Sequence, residues 1–402
     1  MGKNWSPLNK IRRVVGSEKL QTVSLLFSGI FLFVCSLEGV EHGFKLVFSE
    51  WANFFLSMVK SGVAPFTGLA IGVLSTALLE SSSAVIATAM VSMAGMVAGG
   101  LPLSSAIRFG VPMVLGANIG TTAGSTIVLF GLRRSTTIEE FNATIPGVIL
   151  GDMYKILTVV FFFTLEVTTG FLSNIATRLG FFLYETLKLE KVFAIFEKSV
   201  LDIFIKDPII KPIGNAFILF FGGQVGGILF FILWFVFIVI SIDFLIMKGL
   251  KRLIQTDWAD RVLSAFKKPF KSFATGFSLT WLVGSSSIGT SLAIPMIATK
   301  MVSIEEVYPY LCGCGLATTV DLSQIYGYIA GGVVGVMLGL SHVILNIFAL
   351  ILWLATPLRV LPLKIAKIIG RFIASNSHSA LLLLIYALSV FIFIPLIVIF
   401  IL

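Results

Sequence analysis

Long apolar runs separated by short polar segments make up most of the chain. A helix that crosses a bilayer needs about 20 consecutive apolar residues. Apolar runs that predict such helices cover residues 20–40, 144–170, 215–247 and 380–402, and the second of them carries Asp152, Lys155 and Glu166. Two shorter runs, at 325–338 and 341–354, predict two further membrane segments late in the chain. The pattern therefore predicts a polytopic, helical membrane protein.

Two apolar runs are interrupted by polar residues. The run over 63–99 is too long for one helix and is broken at Glu80–Ser83. The run over 272–299 is broken at Ser285–Ser287. Polar groups in lipid are costly unless partnered, and non-helical backbone at membrane depth persists only where protein covers it or it lines a wet cavity. Each run is therefore predicted to form a hairpin that enters the membrane and turns back, the first of them over 66–98.

The two halves of the chain carry the same two motifs in the same order. Residues 72–83 (GVLSTALLESSS) and 276–287 (GFSLTWLVGSSS) share glycine, threonine and the triple serine at identical spacing. Residues 112–122 (PMVLGANIGTT) and 309–319 (PYLCGCGLATT) match farther along. Duplicated halves with interrupted apolar segments in corresponding positions are typical of transporters that bind substrate near the middle of the bilayer.

The repeat divides the chain into five predicted segments. They are a cytoplasmic N-terminal segment (1–19), a first transmembrane repeat (20–171), an amphipathic linker (172–214), a second transmembrane repeat (215–372) and a terminal transmembrane span (379–402). The linker is predicted because hydrophobicity falls there and charged residues become frequent.

Composition supports the membrane assignment and adds an orientation. Of the 402 residues, 57% are hydrophobic and 12% are charged, whereas soluble domains have about 25% charged residues. The net charge is +9, but its basic residues lie mostly in connecting segments, which indicates orientation signals rather than a nucleic-acid surface. The positive-inside rule places the N-terminus in the cytoplasm. The basic residues before the first span are Lys3, Lys10, Arg12, Arg13 and Lys19.

The polar turns suit an anion bound beside cations. A helix N-terminus presents unpaired N–H groups and a partial positive charge, both of which favour anions. Serine hydroxyls can donate to an anion or supply oxygen ligands to a cation such as Na⁺. The GANIGTT element adds the amide of Asn118 and the hydroxyls of Thr121 and Thr122. A serine triplet can serve helix packing alone, but its recurrence at repeat-related positions favours a functional site.

These motifs resemble the type II sodium-dependent phosphate cotransporters. In that family each repeat carries a Gln-Ser-Ser-Ser hairpin tip and a Gly-x-Asn-x-Gly-Thr-Thr/Ser element. Residues 151–166 (GDMYKILTVVFFFTLE), 341–347 (SHVILNI) and 356–370 (TPLRVLPLKIAKIIG) also follow the family order. The resemblance covers most of the chain. It implies an all-α integral membrane fold with two inverted-topology repeats and re-entrant helical hairpins, and uptake of inorganic phosphate driven by Na⁺ through alternating access.

The resemblance also implies the ligands of the site. The candidates for binding phosphate are Glu80, Ser81, Ser82, Ser83, Asn118, Ser285, Ser286 and Ser287. The candidates for binding sodium are Thr76, Glu80, Thr121, Thr122, Asp152, Ser287, Thr318 and Thr319. Na⁺ is the expected coupling ion, and phosphate and the lipid bilayer of the cell membrane are the expected partners. A homodimer is compatible with the family, and no nucleic-acid partner is expected.

The chain departs from the family motifs at four positions of the repeats. Glu80 and Gly284 stand where the family has the two tip glutamines. Gly315 and Ala317 replace the asparagine and the second glycine of the second element.

Two further departures lie beside Asp152, which matches a family carboxylate associated with an additional sodium site. Lys155 replaces the asparagine three residues later, and Gly151 replaces the preceding histidine. Asp152 and Lys155 are spaced i,i+3 and can pair on a helix. One hypothesis is that the Lys155 ammonium occupies the space of one coupling ion as a tethered cation. The alternative is that its side chain extends to an interface.

Glu80 leaves the coupling mechanism open, because an ionised carboxylate repels phosphate. A protonated Glu80 would mimic glutamine and make uptake pH-dependent, whereas an ionised Glu80 would act as a cation ligand. Two alternative functions follow: proton- or sodium-coupled transport of another small anion, and a non-transporting receptor or scaffold whose second motif has decayed. No nucleophile–base pair or metal-ligand cluster stands out, so an enzyme is not expected.

Overall fold

The fold is helical throughout the part of the chain that the computed structural model describes. That part comprises residues 20–36, 38–39, 42–43, 46, 65–98, 100–187, 202–241, 245, 248–249, 252, 259–321, 324–325, 327–328 and 331–401. No β-strand occurs within these ranges, which confirms the all-α prediction. The predicted N-terminal segment and the centre of the predicted linker lie outside them.

The helices are numbered here in chain order. They are α1 Leu20–Ser36, α2 Pro65–Leu79, α3 Ser82–Ala98, α4 Leu103–Gly120, α5 Ala123–Gly131, α6 Ile138–Thr169, α7 Phe171–Leu187, α8 Lys211–Phe221, α9 Gly223–Ile240, α10 Ala259–Lys267, α11 Pro269–Val283, α12 Ser286–Ser291, α13 Ala293–Ala298, α14 Ile304–Ala317, α15 Gly332–Leu350, α16 Val360–Ala374, α17 Ser379–Leu388 and α18 Ile394–Ile401.

Four of the described helical segments are long and apolar enough to cross a membrane. These segments are Leu103–Arg134, Ile138–Thr169, Gly332–Ala355 and Ser379–Ile401. The chain is therefore a multi-pass membrane protein, as its sequence predicts. The longest single helix, α6, begins with a capping box between Thr137 and Glu140. It ends at Gly170, whose φ of 66° is the left-handed conformation that terminates many helices.

Two predicted boundaries are wrong. The runs at 325–338 and 341–354 do not form separate segments, because one helix, α15, begins at Gly332 and continues through a π-type turn at Ile351–Ala355. The run at 215–247 is not one helix, because Gly222 has a φ of 82° and separates α8 from α9.

Both serine-rich interruptions lie between two helices. Glu80 and Ser81 separate α2 from α3, and Gly284 and Ser285 separate α11 from α12. Glu80 and Gly284 both have positive φ, at 51° and 74°. Helices α2, α3 and α11 have 15, 17 and 15 residues, fewer than the about 20 needed to cross a bilayer. Each predicted hairpin thus contains short helices joined by a left-handed turn, and re-entry into the membrane stays a prediction.

The first arm of each hairpin packs closely against the helix that carries the glycine–threonine element. Helix α2 packs on α4, and α11 packs on α14. A Cβ atom at Gly116 would lie 2.0 Å from the carbonyl oxygen of Leu69, and one at Gly313 would lie 2.1 Å from that of Phe273. The backbones therefore touch at a glycine in both halves, which is how small residues bring membrane helices together.

We expect Gly116→Val and Gly313→Val each to destabilise the protein by about 1–3 kcal/mol or more, because the added side chain meets backbone that cannot turn away. Thermal unfolding of the purified protein in detergent measures the effect. Gly95→Ala is the matched control, since a Cβ at Gly95 meets no atom within 4 Å. Unfolding temperatures equal to that of the control would contradict this account of the packing.

Candidate functional site

The first serine of each triplet caps a helix. The backbone N–H of Ala84 donates to Ser81 Oγ at 3.4 Å, and the backbone N–H of Ile288 donates to Ser285 Oγ at 3.5 Å. Serine is among the residues preferred at this position, because its oxygen satisfies an N–H that has no partner within the helix. Each hydroxyl proton is left to donate to a ligand. Ser81 and Ser285 therefore shape the tips of the two hairpins.

The third serine of each triplet reaches across to the other half of the protein. Ser287 Oγ donates to the carbonyl oxygen of Glu80 at 3.2 Å and approaches that of Thr121 at 3.5 Å. Ser83 Oγ donates to Asp321 Oδ2. Both serines are buried. The two serine-rich tips therefore meet inside the protein and bring predicted ligands of both halves close together.

The Glu80 carboxylate lies over Gly124. A Cβ atom at Gly124 would lie 2.7 Å from Glu80 Oε2 and 3.5 Å from Ser287 Cβ. Glu80 is only 8% exposed, so its carboxylate lies within the protein, beside the tip of the second hairpin. The carboxylate, the Ser287 hydroxyl and two backbone carbonyls are thus close together.

The threonines of the two elements use their hydroxyl protons within their own helices. Thr121 Oγ1 donates to Ala117 O at 3.0 Å, and Thr318 Oγ1 donates to Gly315 O at 2.8 Å. Thr122 and Thr319 make the same kind of bond. Because the protons are used in this way, the oxygens have lone pairs for a cation but no proton for an anion.

Thr76 completes the set of predicted sodium ligands. Its side chain is fully buried, and its Oγ1 has no hydrogen-bond partner in the described part of the chain.

Lys155 is buried between the two halves. Its Nζ donates to Asn118 Oδ1, and the residue is 4% exposed. A Cβ atom at Gly315 would lie 3.0 Å from Lys155 Nζ and 3.3 Å from Asn346 Oδ1. Gly315 occupies the position that corresponds to Asn118 in the repeated element. The ammonium therefore fills the space that an asparagine side chain at 315 would take.

The predicted pair between Asp152 and Lys155 does not form. Asp152 instead accepts a hydrogen bond from Tyr386 Oη at 3.0 Å, and its side chain lies beside Thr122. The alternative that Lys155 extends to an interface is also wrong, because its side chain is directed into the protein. Asp152, a predicted sodium ligand of the first half, is fully buried. The tyrosine that binds it belongs to helix α17.

Four buried residues near the site were missed by sequence reasoning. They are Asp321, Gln324, His342 and Asn346. His342 Nδ1 and Gln324 Nε2 are 3.0 Å apart, and Asn346 Nδ2 donates to the carbonyl oxygen of His342 at 3.0 Å. The i,i+4 spacing of His342 and Asn346 within the apolar stretch SHVILNI was a signal that could have identified both. Asp321 was recognisable as a carboxylate two residues after the second threonine pair.

The site thus joins two serine-rich hairpin tips inside a helical membrane protein, which is the arrangement of a membrane transporter. The family model for the Na⁺/Pi-cotransporter matches residues 32–190 and 236–394. The chain belongs to this family. The family consists of transporters, so the expectation that the protein is not an enzyme is confirmed.

Individual relatives match over nearly the whole chain. Sodium-dependent phosphate transport protein 2A of Ovis aries is 26% identical over 454 residues, covering 96% of this chain and 68% of the relative. The protein of the same name from Rattus norvegicus is 26% identical, covering 94% and 67%. Sodium-dependent phosphate transport protein 2B of Homo sapiens is 25% identical, covering 90% and 63%. No solved structure matched the chain.

We expect Lys155 and Gly315 to be strongly coupled in stability. Gly315→Asn should destabilise the protein because the new side chain collides with the ammonium, and Lys155→Asn should do so because it leaves a cavity and removes a donor to Asn118. The double variant should recover at least about 1 kcal/mol relative to the sum of the single effects. Thermal unfolding of the four proteins measures this coupling, and additive losses would rule it out.

Proposed function

We propose that the protein takes up inorganic phosphate together with Na⁺ by alternating access. Membership of the Na⁺/Pi-cotransporter family supports this function. The observation that carries it is the contact between the two hairpin tips, where Ser287 of the second reaches Glu80 of the first. We place the protein in the plasma membrane with its N-terminus in the cytoplasm, following its basic N-terminal segment. A homodimer stays a prediction.

The anion binds, in this proposal, at the N-termini of the helices that follow the two tips. Phosphate would accept hydrogen bonds from the serine hydroxyls and from first-turn N–H groups of helix α3, which have no partner within the helix. Ser83 and Ser287 would have to release their present acceptors, the Asp321 carboxylate and the Glu80 carbonyl, in order to donate to the anion. Asn118 adds a donor, because its Nδ2 is buried without a hydrogen-bond partner among the described residues. The phosphate ligands are then Ser81, Ser82, Ser83, Asn118, Ser285, Ser286 and Ser287.

Sodium binds, in this proposal, where carboxylate, hydroxyl and carbonyl oxygens gather, and Ser287 belongs to both the anion set and the sodium set. One group consists of the Glu80 carboxylate, the Ser287 hydroxyl and the Thr121 carbonyl. Another consists of Asp152 and Thr122. The hydroxyl oxygens of Thr76, Thr318 and Thr319 are further candidates. Carboxylate, hydroxyl and carbonyl oxygens are the ligands that hard cations take.

Lys155 supplies a fixed positive charge in place of one sodium ion. The space beside Asn118 and Asn346 is lined by amides and is filled by the ammonium because position 315 is glycine. Each net positive charge that moves inward gains about 2.3 kcal/mol per 100 mV. A protein that carries one charge permanently gains less from the membrane potential in each cycle.

Radiolabelled phosphate uptake into proteoliposomes, with Na⁺ and pH gradients imposed separately, tests the function. We expect an inward Na⁺ gradient to raise uptake at least tenfold over an equal K⁺ gradient. Sulfate as a competitor tests the second candidate, transport of another small anion, which the Glu80 carboxylate at the first tip favours. Absence of uptake under every gradient would refute transport of phosphate and leave the receptor or scaffold alternative.

Glu80→Gln distinguishes the two roles of the carboxylate. As a sodium ligand, Glu80 should be needed for Na⁺ affinity, so the variant should require about tenfold more Na⁺ for half-maximal uptake. Gly124→Ala should also raise the Na⁺ concentration needed for half-maximal uptake, because the added methyl group displaces Glu80 Oε2. A normal Na⁺ dependence combined with loss of pH dependence would instead identify Glu80 as the protonated group. Gly95→Ala serves as the control.

Lys155→Asn/Gly315→Asn tests the fixed charge. We expect this double variant to transport phosphate with about one more Na⁺ per cycle, seen as a larger charge-to-phosphate ratio in proteoliposomes. An unchanged ratio in a variant that transports would refute the tethered cation.

A further inference from the structure

The two halves of the site carry their buried carboxylates at opposite positions. In the repeated hairpins, Glu80 of the first half corresponds to Gly284 of the second. In the repeated elements, two residues after the second threonine, Gly124 of the first half corresponds to Asp321 of the second. Each half therefore has one carboxylate and one glycine, but in reverse order.

The contacts of Asp321 link the second half to the first hairpin. Asp321 is 2% exposed, and its Oδ2 accepts the hydroxyl proton of Ser83. Its Oδ1 accepts the backbone N–H of Gln324 at 3.0 Å. A carboxylate of one half thus lies against the third serine of the other half.

A related arrangement exists on the other side of the site, where the carboxylate comes from the hairpin tip and not from the residue after the threonine pair. Gly124 has no side chain, and the Glu80 carboxylate lies in the space above it, 2.7 Å from where a Cβ would be. That space adjoins Ser287, the third serine of the second hairpin. Glu80 therefore places a carboxylate near Ser287, which donates to the backbone carbonyl of Glu80, whereas Asp321 accepts the Ser83 proton directly. The exchange of positions keeps one carboxylate beside each hairpin tip.

We propose that Asp321 and Ser83 form a second cation site, the counterpart of the Glu80–Ser287 site, so that one Na⁺ binds at each hairpin tip. This inference rests on the proposed function and extends it to a residue outside the family motifs. A carboxylate and a hydroxyl supply the oxygens that a hard cation prefers. Among the described residues, no group of three or more His, Cys, Asp or Glu residues is placed to hold a metal ion. This ligand set fits a monovalent ion.

The two sites explain how binding of anion and cations becomes coupled. Without cations, two carboxylates beside the serines would repel phosphate. With one Na⁺ bound to each carboxylate, the negative charges beside both serine triplets are neutralised and no longer repel phosphate. The protein then binds phosphate well only after both cations have entered.

The test uses Asp321→Asn, which keeps the shape of the side chain but removes its charge. We expect it to raise the Na⁺ concentration for half-maximal phosphate uptake at least tenfold and to lower the Hill coefficient for Na⁺. Glu305→Gln is the matched control, because Glu305 is an exposed carboxylate paired with Lys367 and should leave both values unchanged. A wild-type Na⁺ dependence in Asp321→Asn would overturn the proposal.

Rescue variants exploit the exchanged positions. Asp321→Gly/Gly284→Glu gives the second half the arrangement of the first, and it should recover most of the Na⁺ affinity that Asp321→Gly loses. The left-handed backbone at 284 accepts glutamate as it does at Glu80. If the double variant folds but does not recover Na⁺ affinity, a carboxylate at 284 cannot replace the one at 321. That result would overturn the proposal that the two positions are equivalent.

A binding measurement separates this proposal from the proposed function. Na⁺ stabilises a protein that binds it in the folded state, so the unfolding temperature in detergent rises with Na⁺ concentration without any phosphate. We expect Asp321→Asn and Ser83→Ala to reduce this rise while Glu305→Gln keeps it. An equal rise in all three variants would overturn the second site, whereas lack of phosphate uptake by the wild type would overturn only the function.

Discussion

Broken helices inside a membrane protein must cover each other, and this requirement governs the arrangement of the whole site. Backbone at the turns around Glu80 and Gly284 is not helical, so it needs partners that lipid cannot supply. The second half supplies such a partner to the first, since Ser287 donates to the carbonyl oxygen of Glu80, and a second contact between the halves runs from Ser83 to Asp321. The same contacts that protect the turns bring hydroxyls, carboxylates and helix N-termini together. The contacts that satisfy the turn backbone are therefore the same contacts that assemble the site.

Close packing within each half makes this meeting precise. Gly116 and Gly313 let the first helix of each hairpin touch the helix that carries the glycine–threonine element, α4 or α14. The position of each tip along that helix is therefore fixed relative to its own threonine pair. The hydroxyls of Ser83 and Ser287 then lie against polar atoms across the boundary between the halves. Relative motion of the halves changes the distances across that boundary and leaves each half intact, which suits alternating access.

The sequence was sufficient to locate the hairpin tips and the elements, because both motifs recur at fixed spacing. It could not show that Ser81 and Ser285 cap helices, since capping depends on where the helix begins. The ammonium of Lys155 next to Gly315 was also beyond prediction, because a glycine gives no sign of which distant side chain fills its space. The i,i+3 rule suggested Asp152 as the partner of Lys155, yet Asn118 and Tyr386 provided better-placed polar atoms.

The hydrogen bond between Tyr386 and Asp152 has a consequence for the resting state of the protein. Tyr386 lies on α17, within the span that follows both repeats, so this bond has no counterpart generated by duplication. A hydrogen bond contributes about 1 kcal/mol, and a bond of that strength made in only one of two conformations would favour that conformation about fivefold. If this bond breaks in one of the two transport conformations, a span outside the two motif-bearing halves makes their populations unequal before any ion or substrate binds.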